Sequence, residues 1–88
     1  MTPSPILAEA EIAMRAALSH ALESWLDGAG LTQTAAAAVL GITQARVSEI
    51  KHGKTAHFSL DLLVRLAARA GLQPRVSFSM PLPPGEQP

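Results

Sequence analysis

Apolar residues recur at intervals of three and four along the first third of the chain, which is the spacing of one face of an α-helix. The charged residues of this stretch lie mostly off that stripe. The pattern predicts a first helix from about Ile6 to Asp27, ended by Gly28 and Gly30. Its predicted inner stripe consists of Leu7, Ala10, Met14, Leu18, Ala21, Leu22 and Trp25.

Three shorter helices are predicted next, each beginning after a hydroxyl residue that can cap it and ending at a glycine. Their predicted bounds are Gln33–Leu40, Gln44–His52 and Leu60–Ala70. The capping residues are Thr32, Thr43 and Ser59, and the terminating glycines are Gly41, Gly53 and Gly71. The predicted inner stripe of the last helix consists of Leu60, Leu63, Val64 and Ala67.

After Pro74, residues 75–80 alternate polar and apolar side chains, which is the pattern of a β-strand. The chain has no second predicted strand, yet the backbone N–H and C=O groups of a strand need partners. We therefore expect a mainly α fold, a bundle of about four helices whose single C-terminal strand pairs with its copy across a homodimer. The expected interface residues of this strand are Val76, Phe78 and Met80.

The same patterns divide the chain into three parts. Residues 1–73 form the predicted helical domain, residues 74–80 the dimerisation strand, and the proline-rich residues 81–88 a disordered tail. With 88 residues, the chain has room for one small domain. It contains no cysteine, no basic start typical of a secretory signal and no apolar stretch of about 18 residues. We expect a soluble cytoplasmic protein without a membrane partner.

Charge is unevenly distributed although the net charge is zero. Residues 1–30 contain four acidic residues and one arginine, a net charge of −3, whereas residues 31–88 contain six basic and three acidic residues, a net charge of +3. Three of the basic residues, Arg46, Lys51 and Lys54, lie in or just after the predicted third helix. A local basic face can bind phosphate although the whole chain is neutral.

Residues 32–55 have the outline of a helix-turn-helix, in which one helix supports a second that enters the DNA major groove. Ala37 supplies the small side chain needed where two steeply crossed helices touch, and Gly41 can adopt the positive φ of the turn. The outer face of the third helix is nearly all polar. The residues predicted to point inward are Ala36, Leu40, Ile42, Val47 and Ile50.

These residues resemble the lambda-repressor-like (Xre-type) helix-turn-helix proteins over about residues 31–71. The matching elements are Thr32-Gln33, Ala37, Gly41, Thr43-Gln44, Val47, Ile50 and Gly53-Lys54-Thr55. The resemblance implies that Gln44 reads adenine, that Gln33 braces it and touches phosphate, and that Lys54 and Thr55 grip the DNA backbone. A Gln amide can pair bidentately with adenine N6 and N7, which supports the same role for Gln44.

The predicted DNA contacts fall into two sets. The base-contact candidates are Gln44, Ala45, Arg46, Ser48 and Glu49, and the phosphate-contact candidates are Gln33, Thr43, Lys51, Lys54 and Thr55. Arg46 suits guanine or phosphate. Glu49 replaces the commoner Gln and has two interpretations: it accepts a hydrogen bond from cytosine N4, or it repels phosphate.

A narrower resemblance, to short HigA-type antitoxins of toxin–antitoxin pairs, extends over nearly the whole chain and includes the strand at residues 75–80. It implies a dimeric repressor that binds a double-stranded DNA operator, regulates its own operon and neutralises a RelE/HigB-like ribonuclease toxin. Two alternatives remain: a helical protein-interaction module, favoured by the neutral charge and acidic first helix, and a phage-type regulator without a toxin partner.

Other chemistry is not indicated. Gly53-Lys54-Thr55 imitates the end of a phosphate-binding loop, but Ser48 stands where that motif needs glycine. His52 and His57 lack the spacing and the neighbouring ligands of a metal site. No residue pairing suggests a nucleophile with a base. We expect neither a cofactor, nor a metal, nor an enzymatic activity.

Overall fold

The computed structural model describes residues 5–78, and it describes side chains from residue 8 onward. Within this range the chain folds into four helices: α1 (Pro5–Ala29), α2 (Gln33–Leu40), α3 (Gln44–Lys51) and α4 (Leu60–Arg69). The mainly helical fold class and the order of the helices are confirmed. Helix α1 packs against α4 and α3, and helix α2 packs against α3 and α4.

The helix boundaries differ from the prediction by one or two residues. Helix α2 has the predicted bounds, whereas α3 and α4 each end one residue earlier because His52 and Ala70 are their C-caps. Helix α1 continues through Gly28 and ends just before Gly30, where φ is +65°. The predicted N-caps are confirmed, since each hydroxyl oxygen accepts a hydrogen bond from the backbone N–H three residues later: Thr32, Thr43 and Ser59.

Two neighbouring groups of buried apolar side chains hold the helices together. The larger draws on all four helices and on the loop before α4: Leu22, Leu40, Ile50, Phe58, Leu63 and Leu66. The smaller lies between α2 and α3 and consists of Ala36, Ala37 and Val47, with Ile42 packed against it. Because alanine side chains are short, α2 and α3 can lie close together. The inward positions predicted for the helix-turn-helix are confirmed as buried or half-buried.

Phe58 is fully buried, although the helical patterns gave it no role. It stands immediately before the cap residue Ser59 and shares a cluster with Leu63, the fourth residue of α4. This arrangement is a hydrophobic staple, which fixes how the chain enters a helix. Arg15 of α1 donates a hydrogen bond to the carbonyl oxygen of Phe58, so the loop before α4 is also attached to α1.

The predicted inner stripes are partly wrong. Ala10 and Met14 are exposed because the core contacts of α1 begin farther along the helix, near Leu18. On α4, Val64 is exposed and Leu66 is buried. Helix α4 presents Leu63, Leu66 and Ala67 to the core. Val64 lies at the edge of that face and is exposed to solvent. Leu7 lies outside the residues whose side chains are described.

The C-terminal segment is irregular where the structure describes it. Residues 72–78 contain no strand, and Val76 and Phe78 expose 65% and 77% of their surface. A strand needs a backbone partner, and residues 5–78 of a single chain offer none. The predicted strand and its pairing therefore stay a prediction about the dimer. Met80 and the predicted tail at residues 81–88 lie outside the described residues.

Candidate nucleic-acid interface

Helix α3 turns one side to the core and leaves the opposite side open. Val47 and Ile50 are buried. At about 3.6 residues per turn, Ala45, Ser48 and Glu49 lie on the face directly opposite them. Ala45 is exposed, and the other two are half-buried. We call Ala45, Ser48 and Glu49 the outer face of α3. Because α3 projects this face away from the bundle, it is the part of the helix that can enter a groove.

The flanks of the outer face carry Gln44 and Arg46. Gln44 is exposed and is the first residue of α3, so its amide is free to reach beyond the helix end. The guanidinium of Arg46 lies 5.2 Å from the centroid of the Phe58 ring, a cation–π contact that fixes its position. The planar guanidinium carries five N–H donors, so stacking on a ring face leaves its edge able to bind guanine or phosphate.

Glu49 has a partner that the sequence did not indicate. Its Oε2 lies 2.6 Å from Nε2 of His57, in the loop between α3 and α4. The outer face of α3 therefore presents a paired carboxylate instead of an isolated one. A pair of this kind places less negative charge against DNA when the imidazole is protonated, which bears on both interpretations of Glu49.

One side of α3 faces the start of α2 across a shallow groove. Thr32 and Gln33 line one wall, Lys51 lines the other, and Asp27 lies nearby at the end of α1. The N-terminus of a helix carries unpaired N–H groups and a partial positive charge, so a phosphate is favoured there. Gln33 and Lys51 are both exposed, and the structure thus brings these two phosphate-contact candidates to one groove.

Thr43 and Lys54 lie at the two ends of α3. The hydroxyl oxygen of Thr43 accepts the capping hydrogen bond from the Arg46 N–H, which leaves its own O–H as a donor. Gly53, at φ +70°, turns the chain after α3, and Lys54 follows with an exposed side chain. The backbone N–H of Lys54 donates a hydrogen bond to the Glu49 carbonyl oxygen over 2.8 Å. This bond fixes the backbone position from which the Lys54 side chain extends.

Thr55 does not fit the role predicted for it. Its side chain is buried, with 7% of the residue exposed, and its Oγ1 lies 2.8 Å from Oγ of Ser19. This hydrogen bond joins the loop after α3 to α1. We therefore correct the predicted phosphate contact of Thr55 to a structural role, because a buried hydroxyl already paired with Ser19 is not presented to DNA.

The turn between α2 and α3 depends on a residue that sequence reasoning missed. Arg69, the last residue of α4, donates a hydrogen bond to the Leu40 carbonyl over 2.9 Å. A cation at this position also complements the negative end of the α2 dipole. Gly41 is required by its φ of +68°, and a Cβ there would lie only 3.1 Å from Nη1 of Arg69. Arg69 is 29 positions from Leu40, so no local pattern reveals the contact.

Other kinds of site find no support in residues 5–78. That range contains no group of three His, Cys, Asp or Glu side chains placed to hold a metal ion. None of its helices has the length and apolar character needed to cross a bilayer.

Comparison with known proteins finds a matching family and matching solved structures. The family described as "Helix-turn-helix domain" matches residues 7–79. One solved structure, named "Putative XRE Family Transcriptional Regulator", is 32% identical to this chain, with a TM-score of 0.66. The alignment covers 89% of this chain and 85% of that one. A comparison with curated proteins finds no match. The family match spans all four helices and the segment after α4.

The neighbours Lys54 and Thr55 give a matched test of the interface. We expect Lys54→Ala to weaken binding to all DNA sequences and to reduce the slope of log affinity against log salt by about 1, because one phosphate contact is lost. We expect Thr55→Val to leave that slope unchanged and to lower the free energy of unfolding by about 1–3 kcal/mol, because Ser19 loses its partner. Salt titrations of DNA binding and urea unfolding measure the two effects. A reduced salt slope in Thr55→Val would restore the phosphate role of Thr55.

Proposed function

Since the chain belongs to the XRE-type helix-turn-helix family of DNA-binding transcriptional regulators, we propose that it is a repressor that reads its operator with α3. The observation that carries this proposal is the outer face of α3, a solvent-facing surface opposite the buried Val47 and Ile50. Candidate phosphate contacts support it, since Gln33 and Lys51 line one groove and the exposed Lys54 follows the end of α3.

The proposed base readers are the outer face and its two flanking residues. Gln44 enters the groove first, because it begins the helix, and its amide suits adenine. Arg46 lies on the other flank, where its guanidinium edge suits guanine or a nearby phosphate. The small side chain of Ala45 permits a close approach to the bases, and Ser48 offers a hydroxyl group. The carboxylate of Glu49 suits the amino group of cytosine. The proposed phosphate contacts are Gln33, Thr43, Lys51 and Lys54.

Gln44→Ala tests the reading of bases directly. We expect it to weaken binding to the operator by about 1–3 kcal/mol and to relax preference at one base pair per half-site, because a bidentate amide pair is lost. The measurement compares affinity for the duplex that the wild-type protein selects with affinity for an unrelated duplex. His20→Ala, on an exposed side of α1, is the control and should leave both affinities unchanged. An equal loss on both duplexes would show that Gln44 contacts only the backbone.

We also propose that residues 74–80 join two copies of the helical domain formed by residues 1–73. Exposed apolar side chains support this proposal. Met14 of α1 and Val64 of α4 line an apolar groove that continues along Pro74 and Val76, and Phe78 lies exposed just beyond it. In the proposed dimer the two segments pair as antiparallel strands, and Val76, Phe78 and Met80 cover the grooves. A two-fold dimer can place its two α3 helices about 34 Å apart, which matches successive major grooves.

Two truncations separate the proposed strand from the tail that follows it. A chain ending at Gln73 should be monomeric, bind the operator much more weakly and unfold more easily, because it lacks the pairing segment. A chain ending at Met80 keeps residues 74–80 and should remain dimeric. Sedimentation of both proteins measures the difference. A dimer formed by the shorter chain would assign the interface to another surface, such as α1 around Trp25.

The proposed regulatory role is that of an antitoxin that binds a RelE/HigB-like ribonuclease. The charge of α1 supports a basic partner: Glu9, Glu11 and Asp27 are exposed, and Arg15 is the only basic residue among positions 1–30. A protein that binds RNA presents basic surface to phosphates. Glu9 and Glu11, near the start of α1, have the charge to cover such a surface, whereas Asp27, near its end, lies beside the groove of Gln33 and Lys51.

Co-expression with the product of the adjacent reading frame tests this role. We expect a small basic protein to co-purify with the wild-type chain and with Gln44→Ala, and to be lost from the Glu9→Lys/Glu11→Lys variant, because charge reversal opposes a basic partner. Co-purification that survives the charge reversal would exclude α1 as the binding surface. The absence of any such complex would leave a regulator without a toxin.

A further inference from the structure

His57 connects the loop after α3 to the outer face of that helix. Its Nε2 lies 2.6 Å from Oε2 of Glu49, which occupies the middle of the proposed DNA-reading surface. The side chains of Glu49 and His57 are 31% and 55% exposed, so the pair is in contact with solvent and can be reached by DNA. In the proposed complex this carboxylate enters the DNA major groove, so its orientation decides whether it helps or opposes binding.

The position of His57 is determined by the buried residue beside it. Its ring meets the Phe58 ring edge-on, with centroids 4.9 Å apart and an angle of 72° between the planes. The same Phe58 ring lies under the Arg46 guanidinium. From α1, Arg15 donates to the Phe58 carbonyl oxygen and is itself paired with Glu11. The loop thus holds the imidazole where the Glu49 carboxylate can meet it.

We propose that His57 is a positioning residue that prepares Glu49 to read cytosine. The imidazole binds Oε2 and leaves Oε1 to accept a hydrogen bond from the cytosine N4 amino group. This inference rests on the proposed function, in which the outer face of α3 enters the major groove, and it decides between the two interpretations of Glu49 in favour of base reading.

The test uses the full chain and the duplex that the wild-type protein selects from random DNA. We expect that duplex to carry a C·G pair opposite Glu49. In the wild-type protein, replacing this pair by T·A should weaken binding by about tenfold, the range of one good base contact. His57→Ala and Glu49→Ala should each remove this discrimination, and the double variant should lose no more than either single variant, because both act through one interaction. His20→Ala is the matched control and should behave as wild type.

Affinity for an unrelated duplex distinguishes positioning from support of the fold. Glu49→Ala and His57→Ala should each keep the wild-type affinity for that duplex, because the phosphate contacts that bind any sequence are intact. If His57→Ala does not fold, Glu49→Ala still tests the pair, since its loop is intact. Unchanged cytosine preference in Glu49→Ala, or in a folded His57→Ala, would overturn the proposal. A wild-type protein that selects no sequence would instead overturn the proposed function, and this inference with it.

Discussion

The close approach of α2 and α3 is the contact on which the proposed DNA surface depends. It is possible because Ala36 and Ala37 present short side chains to Val47. With α3 held in this way, its opposite side is open to solvent. Gly41 and Arg69 complete the arrangement, since the glycine permits the left-handed turn and the arginine binds the last carbonyl of α2. A larger side chain at Ala37 would separate the helices and move the outer face relative to the phosphate-binding groups.

A second constraint comes from the loop after α3, whose centre is Phe58. Its ring lies fully buried in the core, under the Arg46 guanidinium and beside His57. Its carbonyl is bound by Arg15, and the neighbouring Thr55 is bonded to Ser19, so α1 fixes the loop at two points. One loop therefore contributes to core stability and also arranges the polar groups that flank α3. Core packing and the proposed DNA-reading surface therefore share a few neighbouring residues.

Local patterns were sufficient for the four helices and for the helix-turn-helix fold. Hydroxyl caps, terminating glycines and the small residue at Ala37 act within a few positions of each other, so they can be seen in the sequence. Contacts between distant positions were not predictable, as Arg69 with Leu40 and Thr55 with Ser19 show. Thr55 was assigned to phosphate by family resemblance, which does not reveal that its hydroxyl is buried against Ser19 of α1. Phe58 could have been recognised from the staple pattern around Ser59.

The central claim is that two copies of this nearly neutral chain read DNA with paired α3 helices. Selection of bound duplexes from a random pool, using the full-length protein, tests it most directly. Two α3 helices about 34 Å apart predict an enriched inverted repeat, with half-sites about 10 base pairs apart from centre to centre. Enrichment of a single, unrepeated half-site would contradict the dimeric arrangement. Recovery of no preferred sequence would contradict base reading by α3.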